Sequence, residues 1–275
     1  MSSDVVFWLA LAAKLVLTAG IVVSASFVTE RAGPLIGALV VTLPVTVWPA
    51  YVFLALDHDK IFIADSAVGG LGMNAVSAVF MLVYIVLAQR RGIAASLFAA
   101  LAAWLALAMA ARFVPWTITR SILANLVVYP ACIVATRRFC DVIMPPKRRE
   151  WYDLPLRTLL VCALVGTVLV ISNVVGPMAT GFVAVFPIST TSTMLILHPR
   201  IGGPASAAVI ANGLFGLAGV GAGLAALRLS VMPLGLLPSL GLALLVPVSW
   251  NLMIWLVHKR RSHLIIRTRL LRRLP

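Results

Sequence analysis

Few side chains in this sequence could do chemistry, and the most informative are glycines, prolines and hydroxyls in a pattern that occurs twice. Gly33-Pro34 is followed ten residues later by Pro44, and Gly176-Pro177 ten residues later by Pro187. A proline fits the first turn of a helix, where its missing N–H has no partner to lose. A second proline about 15 Å further along the helix removes an interior hydrogen bond and frees the carbonyl four residues earlier. Those carbonyls belong to Val40 and Val183. Hydroxyls follow: Thr46 in the first copy, and the unbroken run Ser189-Thr190-Thr191-Ser192-Thr193 in the second. A kink whose carbonyls are satisfied by neighbouring hydroxyls is the plain reading. Five hydroxyls in succession exceed that need, so the pattern points to a binding segment at Pro44, Thr46, Pro187, Ser189 and Thr190.

Ionisable and amide side chains inside the apolar runs are the next candidates. Lys14 is suited either to holding an anionic group or to snorkelling towards the membrane surface. Arg157, close to Trp151 and Tyr152, favours snorkelling, because aromatic residues gather at the interface. Asp65 is a functional candidate as an intramembrane carboxylate, for carrying a proton or pairing with Lys14; the alternative is an acid at a helix start. Asn74 and Asn212 fall mid-segment, to line the same cavity or to bond across helices. No nucleophile elbow, phosphate loop or paired catalytic carboxylates occur. His58, His198, His258 and His263 lie at segment ends or in the tail, and Cys132, Cys140 and Cys162 are scattered. The expectation is no catalytic residue, no metal, no cofactor, and not an enzyme.

The elements that must hold these residues follow from composition. A chain of 275 residues with 62% hydrophobic and 11% charged residues carries more apolar surface than a soluble globule can bury. Runs of roughly 20 apolar residues span the hydrocarbon layer as helices. About nine such segments can be read: residues 5–28, 33–56, 61–87, 93–111, 116–135, 154–175, 176–197, 203–227 and 232–257. The first reads as a membrane helix and not as a signal peptide, having no basic residues before it.

The two proline patterns belong to a longer internal repeat. An offset of 143 relates Trp8 to Trp151, Lys14 to Arg157, Gly33-Pro34 to Gly176-Pro177, Pro44 to Pro187 and Thr46 to Ser189. At offset 140 it resumes with His58/His198, Lys60/Arg200 and Ser66/Ser206. Charge sets its orientation. With nine crossings, 16 of the 22 Lys and Arg residues fall on one face, and basic loops stay cytoplasmic. The N-terminus is then outside and the C-terminus inside. Five crossings separate the repeat starts, so the halves run in opposite directions, an arrangement common among secondary transporters.

The expected architecture is therefore an all-α polytopic bundle of two inverted-topology repeats, with the second and seventh helices broken by proline. Residues 1–113 form the first half and 154–257 the second. Residues 114–153 hold the fifth segment and a basic linker, and 258–275 a basic amphipathic tail suited to anionic lipid. Partners are the bilayer and a small solute or ion, not nucleic acid. The Gly219/Gly223 spacing serves helix packing, with a homodimer interface as the lesser reading. The run Thr180-Gly181-Phe182-Val183-Ala184-Val185-Phe186-Pro187 with Ser189 and His198 resembles the GlpM family of small bacterial inner-membrane proteins, and Gly37 to Thr46 is similar. The resemblance implies a bacterial inner membrane location and a duplication. The function expected is a transporter or permease; the alternative is a scaffold subunit of an envelope-assembly complex.

Overall fold

The structure, a computed structural model, describes residues 3–31, 47–140, 142 and 150–271, with side chains over 5–25, 47–140, 142 and 150–257. Pro34, Pro44 and Thr46, and the side chains of the basic tail, lie outside the described residues. The described elements are helices: α1 Ser3–Arg31, α2 Val47–Asp57, α3 Lys60–Leu87, α4 Ile93–Ala111 and α5 Ile118–Thr136. A 3-10 turn, Arg137–Phe139, precedes the linker. Then come α6 Asp153–Ala184, α7 Ile188–Ile201, α8 Gly203–Leu234 and α9 Leu236–Leu271. Seven stretches among the described residues are long and apolar enough to cross a membrane.

Burial separates centre from rim. The spans in α3 and α8 are 67% and 56% buried, against 17–33% for the rest, so these two helices form the axis. Their sequences explain it. Ala64, Ala67, Gly69, Gly70 and Gly72 on α3, and Ala207, Ala208, Gly219, Gly221 and Gly223 on α8, allow neighbours to approach closely. A Cβ at Gly69 would overlap the Met178 backbone, one at Gly72 the Trp116 ring, and one at Gly219 the Trp250 ring. Gly219 and Gly223 thus receive α9 of the same chain. The rim carries bare apolar side chains, including Phe98, Phe113, Val127 and Val174. An apolar exterior of this kind is what a bilayer covers.

Local chemistry sets the ends of the elements. Asp59 caps α3 by accepting from the Phe62 N–H at 2.8 Å, and Thr117 caps α5 by accepting from the Arg120 N–H. Gly176, Gly202 and Gly235 are the positive-φ residues among those described. Gly202 separates α7 from α8, and Gly235 separates α8 from α9, three residues beyond the expected start of the last segment at residue 232. Gly176 (φ 76°) turns a corner inside α6, so that a new helical stretch begins at Pro177.

The 49-residue apolar stretch Asp153–Ile201 goes out and comes back. Arg200, at the end of α7, holds Asp153, at the start of α6, by two bonds of 2.5 and 2.6 Å. Its guanidinium also lies 5.0 Å from the Tyr152 ring centroid. The acid sits at a helix N-terminus and the cation at a C-terminus, where each dipole favours it.

Candidate functional site

The feature around which candidate residues gather is the interruption between α6 and α7. Helix α6 ends at Ala184 and α7 begins at Ile188, with Pro187 at φ −76° and ψ 53°. The sequence reading expected a free carbonyl on Val183. Instead the chain tightens, and the Phe186 N–H donates to that carbonyl at 3.0 Å. The carbonyl held from another helix is Val185, which accepts from Ser77 Oγ of α3 at 3.3 Å. Phe186 meets the Trp104 ring of α4 edge-on, with centroids 4.8 Å apart. Ala184 and Val185 are buried. Of the two ways a membrane tolerates broken helix, burial in protein or a wet cavity, this conformation takes the first.

The hydroxyl run divides. Thr191 Oγ1 donates to the Pro187 carbonyl, and Ser192 Oγ and Thr193 Oγ1 both donate to that of Ser189. These three are spent on their own helix, the usual fate of a mid-helix hydroxyl. The Ser189 and Thr190 hydroxyls make no hydrogen bond among the described residues, and both residues are half-buried. Arg157 reaches this helix, donating from Nη2 to Thr193 Oγ1 at 3.2 Å. It faces α7 in this packing.

The remaining candidates do not converge on the break. Lys14 pairs with Asp57, not Asp65, through contacts of 2.5 and 2.6 Å. Asp57 closes α2, whereas Asp65 is the sixth residue of α3. Asp65 is half-buried with no ion pair among the described residues. Asn74 and Asn212 do not share a cavity. Asn212 sits on the exposed side of α8 and donates to the Ala208 and Cys140 carbonyls.

Asn74 is fully buried in a network that ties α3, α5 and α8 together. Its Nδ2 donates to Asn125 Oδ1 at 2.9 Å and to the Leu217 carbonyl at 3.4 Å. Asn125 donates to the Leu71 and Ser121 carbonyls, and Tyr129 Oη to the Asn74 carbonyl. Gly221 makes the room, since a Cβ there would crowd both amides. The Asn74 Oδ1 is buried without a partner among the described residues. Asn125 and Tyr129 were missed in the sequence; polar residues inside an apolar segment were the available signal.

A second buried polar chain was also missed. Tyr84 Oη lies 2.9 Å from His198 Nδ1 and 2.8 Å from Ser206 Oγ. His58, 140 residues before His198, lies 2.9 Å from Ser172 Oγ and stacks on Phe62. A small apolar cavity of about 20 Å³ is bounded by Tyr51, Leu224, Leu240 and Pro247. No group of three or more His, Cys, Asp or Glu residues able to hold a metal ion occurs among the described residues. No family model, no curated protein and no solved structure matches this chain.

Proposed function

We propose that the protein is a secondary transporter or permease for a small solute, built of two inverted halves that cross the membrane nine times. The observation that carries this reading is the break at Val185–Pro187. A chain in lipid interrupts a helix only where protein or water can take over its backbone bonds. Here the Val185 carbonyl is held from α3 by one side-chain bond at 3.3 Å, while the hydroxyls of Ser189 and Thr190, just beyond, are unspent. Such a joint can open and offer carbonyl and hydroxyl oxygens to a solute, as discontinuous helices do in transporters. In this reading the present packing is the closed state.

The count of nine starts from the seven apolar stretches. The out-and-back course of 153–201 makes one of them two crossings, and the segment ending in α2 adds the ninth. Each half is then closed by an ion pair at the end of its second crossing: Lys14–Asp57 in one, Asp153–Arg200 in the other. Lys14, already neutralised by Asp57, would meet an anionic solute only by giving up that acid. A bacterial inner membrane location, with the N-terminus outside, completes the proposal.

The tight packing of the break favours one competitor, a scaffold whose kink never opens. Accessibility separates them without a known substrate. With the three natural cysteines replaced by Ser, Ser189→Cys and Thr190→Cys should react with a small hydrophilic thiol reagent from one or both membrane faces. A protein that is folded and inserted yet unreactive at both positions from either face would be a scaffold.

A further inference from the structure

We propose that His198, Tyr84 and Ser206 form a proton relay, and that the proton is the coupling ion of the transport cycle. The inference rests on the transport reading above and deepens it. His198 closes α7, Tyr84 lies near the end of α3 and Ser206 near the start of α8, so the chain joins the helix beyond the proline break to the two axial helices. Tyr84 and Ser206 are fully buried and His198 is 8% exposed. Histidine is the side chain whose ordinary titration falls between pH 5 and 8, and buried histidines in membrane helices recur in proton pathways.

The donor and acceptor inventory gives the chain two polarities. A phenol or serine hydroxyl has one proton to donate, and a neutral imidazole has one donor and one acceptor nitrogen. With His198 neutral and its proton on Nε2, Ser206 Oγ–H donates to Tyr84 Oη, and Tyr84 Oη–H donates to Nδ1. When a proton is added at the Ser206 end, Ser206 passes its own proton to Tyr84 and Tyr84 passes its proton to Nδ1. The product is an imidazolium whose Nδ1–H donates to Tyr84, which now donates to Ser206. Loss of the Nε2 proton on the other side completes one transfer, with each oxygen left neutral. Both hydrogen bonds have reversed, and in the intermediate a charge stands at the C-terminus of α7, where the helix dipole favours a cation.

Most of the charged groups around His198 are paired or distant. Arg200 on the same helix is held by Asp153, and Arg157 of α6 is bonded to Thr193. Helix α4, also against α7, contains no titratable residue. On α8 the one charged residue is Arg228, over five turns from Ser206, and the charged residues of α3, Lys60 and Asp65, lie at its far end. Just past its near end, the exposed Arg90 and Arg91 follow Ala88, whose carbonyl borders Gly203 and His198. Gly203 fixes the ring: a Cβ there would meet the Ala88 carbonyl and, at 3.1 Å, His198 Cε1. The repeat-related His58 has a hydroxyl partner too, but Tyr51 and its serine, Ser66, form a separate pair. Continuity from histidine through tyrosine to serine exists at His198, where α3 of the first half supplies the tyrosine, among the described residues.

The test uses the full chain in lipid nanodiscs and the proton itself as ligand. With ¹⁵N-labelled histidine, the His198 signals, assigned by their loss in His198→Gln, should titrate between pH 5 and 8. Tyr84→Phe should change the Nδ1 shift and the midpoint. In parallel, the reaction rate of Ser189→Cys, divided by that of an exposed Glu150→Cys reference, should change at least threefold between pH 5.5 and 8. That change should vanish in His198→Gln and shrink in Tyr84→Phe, which keeps the ring and guards against a folding artefact. A His198 that stays in one protonation state from pH 5 to 8 overturns the relay. Titration without any pH effect on the rate ratio, or with an effect that survives His198→Gln, overturns the coupling. If Ser189→Cys is silent from both faces at every pH, the transport reading falls and takes the coupling with it; the NMR titration tells this case apart.

Discussion

Lys14 is the twelfth residue of α1, and its depth in an apolar helix made it a candidate before any partner was known. Its partner could not be read from the sequence. Asp57, Asp59 and Asp65 all lie within a few residues, and only the course of the chain between α2 and α3 decides which of them meets the amine. The outcome is a close pair whose side chains are 16% and 35% exposed. That lies between the exposed pairs that contribute little and buried ones whose breakage leaves an isolated charge. Lys14→Ala should therefore destabilise the protein by roughly 1–2 kcal/mol, and Asp57→Ala by a similar amount. The double replacement should cost less than the sum of the two, as the thermal midpoints of the purified variants in detergent would report. Full additivity would mean that the pair contributes nothing. Tyr84, Asn125 and Tyr129 were illegible for a related reason: their hydroxyl and amide groups acquire meaning only from neighbours more than 50 residues away.

At the scale of elements, the glycine and proline signals were the readable part. Gly176-Pro177 marks a corner and Pro187 marks a break, because one residue type tolerates positive φ and the other lacks a donor. What the sequence withheld is how the break is closed, since Ser77 and Trp104 come from distant helices. Two glycines separate conformational from packing roles. At Gly176 the φ of 76° is the constraint, for a Cβ there would meet nothing within 4 Å. With ψ at 172° this is a glycine-only region of the backbone map, and alanine should cost on the order of 1–3 kcal/mol from strain alone. At Gly181 a Cβ would run into the Ser66 carbonyl and the Gly70 nitrogen, both backbone atoms of α3. Neither can rotate away, so the helices must separate, at a cost at or above the 1–3 kcal/mol typical of overpacking. Gly181→Ala should consequently lower the midpoint of unfolding more than Gly176→Ala does. The reverse order would mean that α3 and α6 are not in the close contact described.

For the whole molecule, apolar composition made a helical membrane protein legible, whereas the orientation rests on the charge distribution alone. The number of crossings was harder, because a 49-residue apolar stretch is compatible with one long tilted helix or with two; the Asp153–Arg200 contact at its two ends is what makes it a hairpin. The nine-crossing arrangement predicts opposite faces for two well-exposed places. Glu150, in the basic linker, should be cytoplasmic, and Phe113, 78% exposed in the turn between α4 and α5, should be external. In a chain whose own cysteines are replaced by Ser, a membrane-impermeant thiol reagent should label Phe113→Cys in intact cells and leave Glu150→Cys untouched. Inverted vesicles should give the opposite result. If both react from the same side, α5 does not cross, the two halves become parallel, and the inverted relation between Lys14 and Arg157 is lost. If both sides are exchanged, the halves stay inverted but the basic linker and tail face outwards, against the charge rule. His198, in the turn of α7 beside Arg200, would then face outwards too, and the proton on its relay would enter from the opposite compartment.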